Sequence, residues 1–262
     1  MSDTLLSAGA TAVMVVWSLL AHDSRASMAG LGIALWFPIS VVLYRAALRW
    51  LPMIGGIRAG PPAATAQRRR EITASCLLTS SLCIIFLASM PPGVAVADAI
   101  ALNFACLAAL LDYMEGWMPT YVLVPMMLAG LVSNVLHDSA NAAILGAAAA
   151  WVAVSLALTF MSISLRANFL SGGDITMATA CGAWVGSTHL STFLLLSALL
   201  HWASCVVMRA LNIPPPRHVY LDGPERTWAR PMGPSFAMGL TLTLLVQACP
   251  ALPGWVQALT GH

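Results

Sequence analysis

The chain contains no lysine, and only 8% of its 262 residues are charged. A soluble globular chain carries roughly a quarter charged residues, so this one cannot cover a surface that faces water throughout. No C-x-x-C pair is present: Cys76, Cys83, Cys106, Cys181, Cys205 and Cys249 stand singly in apolar runs. That excludes a zinc ribbon and a secreted disulfide framework, and leaves the cysteines as small buried apolar residues. The histidines at 22, 137, 189, 201, 218 and 262 show no ligand spacing, so no metal is expected. No cleavable secretory signal is expected either, since Met1–Thr4 is acidic and apolar spans continue long after it. No repeat of fixed period is visible, and no nucleic-acid partner is expected.

What is there is apolar. Hydrophobic residues make up 59% of the chain and the mean hydropathy is +0.83. Apolar stretches near the roughly 17–25 residues that cross a bilayer recur from end to end. Lipid forces each backbone to satisfy its own hydrogen bonds, so the expected fold is an all-α, polytopic transmembrane helical bundle. Spans are read at about 5–21, 28–44, 72–90, 94–111, 121–136, 141–161, 175–188, 190–208 and 233–252. The count is eight or nine, because 5–21 and 28–44 are close and 175–188 is short. Alternate threading puts the loops 45–71, 112–120, 162–174 and 209–232 on one side. Eleven of the twelve arginines, all but Arg25, then fall there, which marks that side as cytoplasmic.

The loop Arg45–Glu71 holds Pro52, Gly55, Gly56, Gly60, Pro61 and Pro62 and then Arg68–Arg69–Arg70. Its composition predicts irregular structure, and its arginines suit contact with anionic membrane lipid. The loop 209–232 carries Pro214–Pro215–Pro216 and further charges. Neither is long enough for an independent domain, so residues 1–262 are read as one integral-membrane domain. The alanine-rich run Ala142–Trp151, and Gly182 with Gly186 at G-x-x-x-G spacing, suit close packing of helices.

Most acidic residues (Asp3, Asp23, Glu71, Asp138, Asp222 and Glu225) read as loop or helix-end charges, and Glu115 reads the same way. Asp98, Asp112 and Asp174 lie next to or within apolar spans, where an ionisable group is a functional candidate by default. Asp98 sits near the outer end of its helix. Asp112 ends the run Ala99–Leu111, and Asp174 directly precedes the run that begins at Ile175. The topology puts both at cytoplasmic helix ends, where two carboxylates on separate helices can meet. On spacing alone they are equally well two unrelated helix-end charges. As a pair they have a defined use, because like charges a few ångströms apart hold one proton between them. The ionised member draws a proton from water, and the protonated member donates to the scissile carbonyl oxygen. Either aspartate can be the one that holds the proton.

Four motifs carry a resemblance. Asp112–Tyr–Met–Glu–Gly–Trp–Met–Pro119, with Pro125 and Gly130–Leu131 behind it, resembles the first active-site motif of the type IV prepilin peptidases. Ser171–Gly172–Gly173–Asp174, with Gly182–Ala–Trp184–Val–Gly186 behind it, is similar to the family's G-x-G-D segment and its trailing G-A-W-x-G. Arg230–Pro231–Met232–Gly233–Pro234–Ser–Phe resembles the P-F-G-P motif that opens the last helix. Trp36–Phe–Pro–Ile–Ser40–Val–Val–Leu–Tyr44–Arg45 is similar to an amino-terminal G-S-F-L-N-V-V-I-Y-R element.

The resemblance implies an aspartic endopeptidase of the bacterial inner membrane, with Asp112 and Asp174 catalytic and no metal or cofactor. Its substrate would be a type IV prepilin or pilin-like secretion subunit, whose short basic leader is cut at the cytoplasmic face. Gly172 and Gly173 are expected to free the backbone before Asp174 for conformations closed to other residues, so that a peptide can approach. Pro119 suits a helix start beside that peptide, and Gly233–Pro234 suits tight packing. Ser171, Thr120 and Thr176 depart from the family's usual glycine, aspartate and lysine. Loop 45–71 has no cysteine where many members carry a four-cysteine zinc insertion. The resemblance therefore supports cleavage and gives no support to the second, N-methyltransferase, activity. Two rivals are an assembly factor that keeps the fold without activity and an ion-coupled transporter. The transporter predicts two related halves, and the sequence shows none.

Overall fold

The structure, a computed structural model, describes residues 24–57, 59, 60, 62, 65–164, 166, 171–212 and 231–248. The expected span 5–21, Arg58, Pro61, Pro214–Pro216, Arg230 and Cys249 lie outside these residues. Among the described residues the chain is all helical, with seven helices and no strand. They are α1 Ser24–Ile54, α2 Ala66–Ser89, α3 Pro92–Glu115, α4 Thr120–Leu136, α5 Ala140–Ser164, α6 Gly172–Ala210 and α7 Gly233–Ala248. Five stretches are long and apolar enough to cross a membrane: Trp36–Ile54, Ala66–Leu87, Gly93–Glu115, Ala140–Ser164 and Gly172–Ala210. Thr120–Leu136 is apolar but shorter.

The chain divides into two compact units, Met1–Ala99 and Ile100–His262. In the first, α1 and α2 pack on each other. Thr65 caps α2 by accepting the Arg68 N–H at 3.1 Å, and the Arg68 guanidinium reaches back to the Leu48 carbonyl, also at 3.1 Å. The α2 residues Ile72, Cys76, Thr79, Cys83 and Phe86 are all buried. Their alternating spacing of four and three puts them on one helix face.

In the second unit, small residues set the helix spacing. A Cβ on Gly146 of α5 would lie 2.5 Å from the Gly182 carbonyl oxygen and 2.6 Å from the Gly186 carbonyl carbon of α6. Backbones that close admit only glycine, and the run Ala142–Ala150 supplies the rest of that face. Trp184 closes the opposite side. Its indole N–H donates to the Met126 carbonyl at 2.9 Å, and its ring lies against Gly130 of α4.

The 39 residues of α6 do not form one straight rod. Gly186 has φ 68° and ψ 176°, outside any helical conformation. Contacts with α7 show that the chain turns back there. Val185 meets Gln247, Gly239 would run its Cβ into Ser197, and Ser235 lies beside His201. Gly233 meanwhile touches Asp112, near the start of α6. Residue 201 thus returns to the end of the unit from which residue 174 set out. The segments expected at 175–188 and 190–208 are two antiparallel helices joined at Gly186.

That turn frees backbone groups. A helical bond from residue i+4 to carbonyl i encloses residues i+1 to i+3, so Gly186 interrupts the bonds to the carbonyls of Ala183, Trp184 and Val185. The Asn134 amide donates to the first two, at 3.0 and 3.4 Å, and the Gln247 amide donates to the third at 3.3 Å. The Asn134 oxygen in turn accepts from the Ser139 hydroxyl at 2.8 Å. Buried backbone groups must find such partners.

Candidate active site

The connections of α3 through α6 are short, so the helices alternate in direction. The end of α3 and the start of α6 therefore lie at the same end of the second unit. Asp112 is in the last full turn of α3 and is buried. Gly116, at φ 63°, ends the helix in a left-handed conformation, with its N–H on the Asp112 carbonyl at 2.9 Å. Asp174 is in the first turn of α6 and half-buried. The two carboxylates are close enough to interact electrostatically. Asp98, in the α3 segment of the first unit, is also buried, so it is not an exposed helix-end charge.

Ser171 holds Asp174 from below. Its hydroxyl accepts the Asp174 N–H at 3.3 Å and hydrogen-bonds the Asp174 carboxylate. Ser-x-x-Asp ahead of an apolar helix is a capping-box pattern, a signal present in the sequence that the comparison with glycine obscured. The expectation of unusual backbone at Gly172 and Gly173 does not hold. Neither has positive φ, because both belong to the first turn of α6. Gly173 is small for another reason: a Cβ there would meet Met118 at 3.1 Å, in the connection that follows Asp112. Among the described residues nothing lies within 4 Å of where a Gly172 Cβ would sit. Pro119 is fully buried and begins α4, its carbonyl accepting the N–H groups of Val122 and Leu123.

Glu115 overturns its expected place in a solvated turn. It lies in the final turn of α3, one turn beyond Asp112, and only 3% of its surface is exposed. The start of α7 completes the surroundings. The Gly233 N–H donates to Asp112 Oδ2 at 2.7 Å. Thr120 opens α4 at the surface, and the Thr176 hydroxyl is turned onto its own helix, donating to the Gly172 carbonyl at 2.7 Å. Among the described residues no three His, Cys, Asp or Glu side chains converge on a point that could hold a metal ion.

Residues 99–206 match the type IV leader peptidase family. The match supports the family that the motifs resembled, and it encloses Asp112, Pro119, Asp174 and the whole turn at Gly186. A leader peptidase is a protease with a protein substrate, and the apolar helices agree with a membrane protein. No curated protein and no solved structure matches the chain.

Proposed function

We propose that the chain is a membrane aspartic endopeptidase that removes the leader of type IV prepilins or pilin-like secretion subunits, with Asp112 and Asp174 as its catalytic pair. The observation that supports this is the placing of two carboxylates within electrostatic reach of each other, at the end of α3 and the start of α6, inside the stretch that matches the leader peptidases. One proton is shared between them. The ionised carboxylate takes a proton from a water molecule, which attacks the scissile carbonyl carbon. The other carboxyl group donates its proton to the carbonyl oxygen, and the tetrahedral intermediate then collapses with the proton passed to the leaving amine. The flank of Gly172, clear of the other described residues, is where an extended substrate backbone can come close to Asp174.

The arginine distribution favours a bacterial inner-membrane orientation with this pair at the cytoplasmic face, in an eight- or nine-span bundle. A transporter would place its carboxylates near the bilayer midplane between related halves. The helix-end positions of Asp112 and Asp174 favour the peptidase instead.

The test is leader removal by the purified protein in lipid, using a substrate with a basic leader, a glycine and an apolar helix. Wild type cleaves, and Asp112→Asn and Asp174→Asn each lose activity by several orders of magnitude, as members of a catalytic unit do. Full activity in either variant, or strong inhibition by a chelator, would overturn the mechanism. Labelled S-adenosylmethionine in the same assay is expected to leave the new amino terminus unmethylated.

A further inference from the structure

The first residues of α7 are arranged around a single donor. The N–H groups of Ser235 and Phe236 both donate to the Met232 carbonyl, each at 3.0 Å. Pro234 has no N–H to offer. The Gly233 N–H remains, and it reaches Asp112 Oδ2 at 2.7 Å in a buried bond between residues 121 positions apart. The helix end adds its partial positive charge along the same line. Glycine is required there. A Cβ on residue 233 would lie 2.9 Å from Asp112 Cβ and Oδ2, and 3.2 Å from the backbone Cα of Ala109.

The geometry points to Gly233 as a positioning residue for the proposed reaction. Its N–H fixes the rotation of the Asp112 carboxylate by holding Oδ2, which leaves the other oxygen for Asp174 and the attacking water. This role rests on the peptidase reading and adds a backbone group to it. Gly233 touches no reacting atom and acts only through Asp112. The G-P pair in this motif thus clears away one competing donor and one side chain at the same point.

The experiment uses the full-length protein in lipid vesicles with the leader-bearing peptide described above. In one variant an amide-to-ester exchange puts glycolic acid at position 233, removing the N–H without adding a side chain. A charge-assisted hydrogen bond contributes about 1.5–3 kcal/mol, so kcat should fall about 10- to 100-fold, with KM unchanged. Gly233→Ala should show the same split. Gly239→Ala, which crowds Ser197 farther along α7, tests packing alone, and should lower thermal stability while keeping kcat. A wild-type kcat in the ester variant overturns the inference. So does a loss that Gly239→Ala reproduces. If Asp112→Asn and Asp174→Asn keep wild-type rates, the peptidase reading itself falls, whatever happens at residue 233.

Discussion

The Asn134 side-chain amide donates to the Ala183 carbonyl at 3.0 Å, bridging 49 positions of sequence at the point where α6 turns back. The same amide also serves the Gly130 and Trp184 carbonyls. A single side chain near the end of α4 therefore stabilises the turn that follows the Asp174 helix.

Removing that amide leaves carbonyls buried without donors. Asn134→Ala is expected to destabilise the protein by about 1–3 kcal/mol, with Gln247→Ala smaller because it serves one carbonyl at 3.3 Å. Thermal unfolding in detergent measures both. Equal transitions in wild type and Asn134→Ala would refute the capping account.

Gly186 has room for a methyl group, since the nearest described atom to a Cβ there would be Ala142 Cβ at an ordinary 3.5 Å. Its backbone does not allow one, because φ 68° with ψ 176° is a region essentially closed to side chains. Gly186→Ala should cost about 1–3 kcal/mol, and the unfolding midpoint reports it. An unchanged midpoint would show that the turn tolerates another conformation.

Ser171 separates capping from the family's usual residue. Glycine at a cap position is worse than serine by only a few tenths of a kcal/mol, so Ser171→Gly should cleave within about threefold of wild type. Ser171→Ala loses the cap at about 1 kcal/mol and should unfold earlier. A Ser171→Gly protein without activity would make the hydroxyl indispensable to the reaction.

Asp98 is buried but lies outside the stretch that binds Asp112 and Asp174 together. Asp98→Asn should shift the unfolding midpoint and keep kcat. A loss comparable to that of Asp112→Asn would place Asp98 in the mechanism.

Much of this was legible in the sequence. The apolar run expected at 121–136 is Thr120–Leu136, and the break expected between 188 and 190 lies at Gly186. The places of Asp112 in the last turn of α3 and of Asp174 in the first turn of α6 follow from the same runs, which end and begin beside them. What stayed hidden depends on contacts between distant residues. Nothing near Gln247 announces Val185, and nothing near Gly233 announces Asp112. The burial of Glu115 has no local signal, because a charged residue before a glycine reads as a turn, whereas α3 continues one turn further. The contacts of Pro119 with α4 and of Gly173 with Met118 are likewise announced by no local pattern.

The reversal at Gly186 also sets a length. The helix from Gly172 to Val185 has 14 residues and rises about 21 Å, short of a hydrocarbon core about 30 Å thick. Its last carbonyls lie against Asn134, in the last turn of α4, and the turn itself lies against Ala142, in the first turn of α5. The amides of Asn134 and Gln247 do there what solvent does at an ordinary helix terminus.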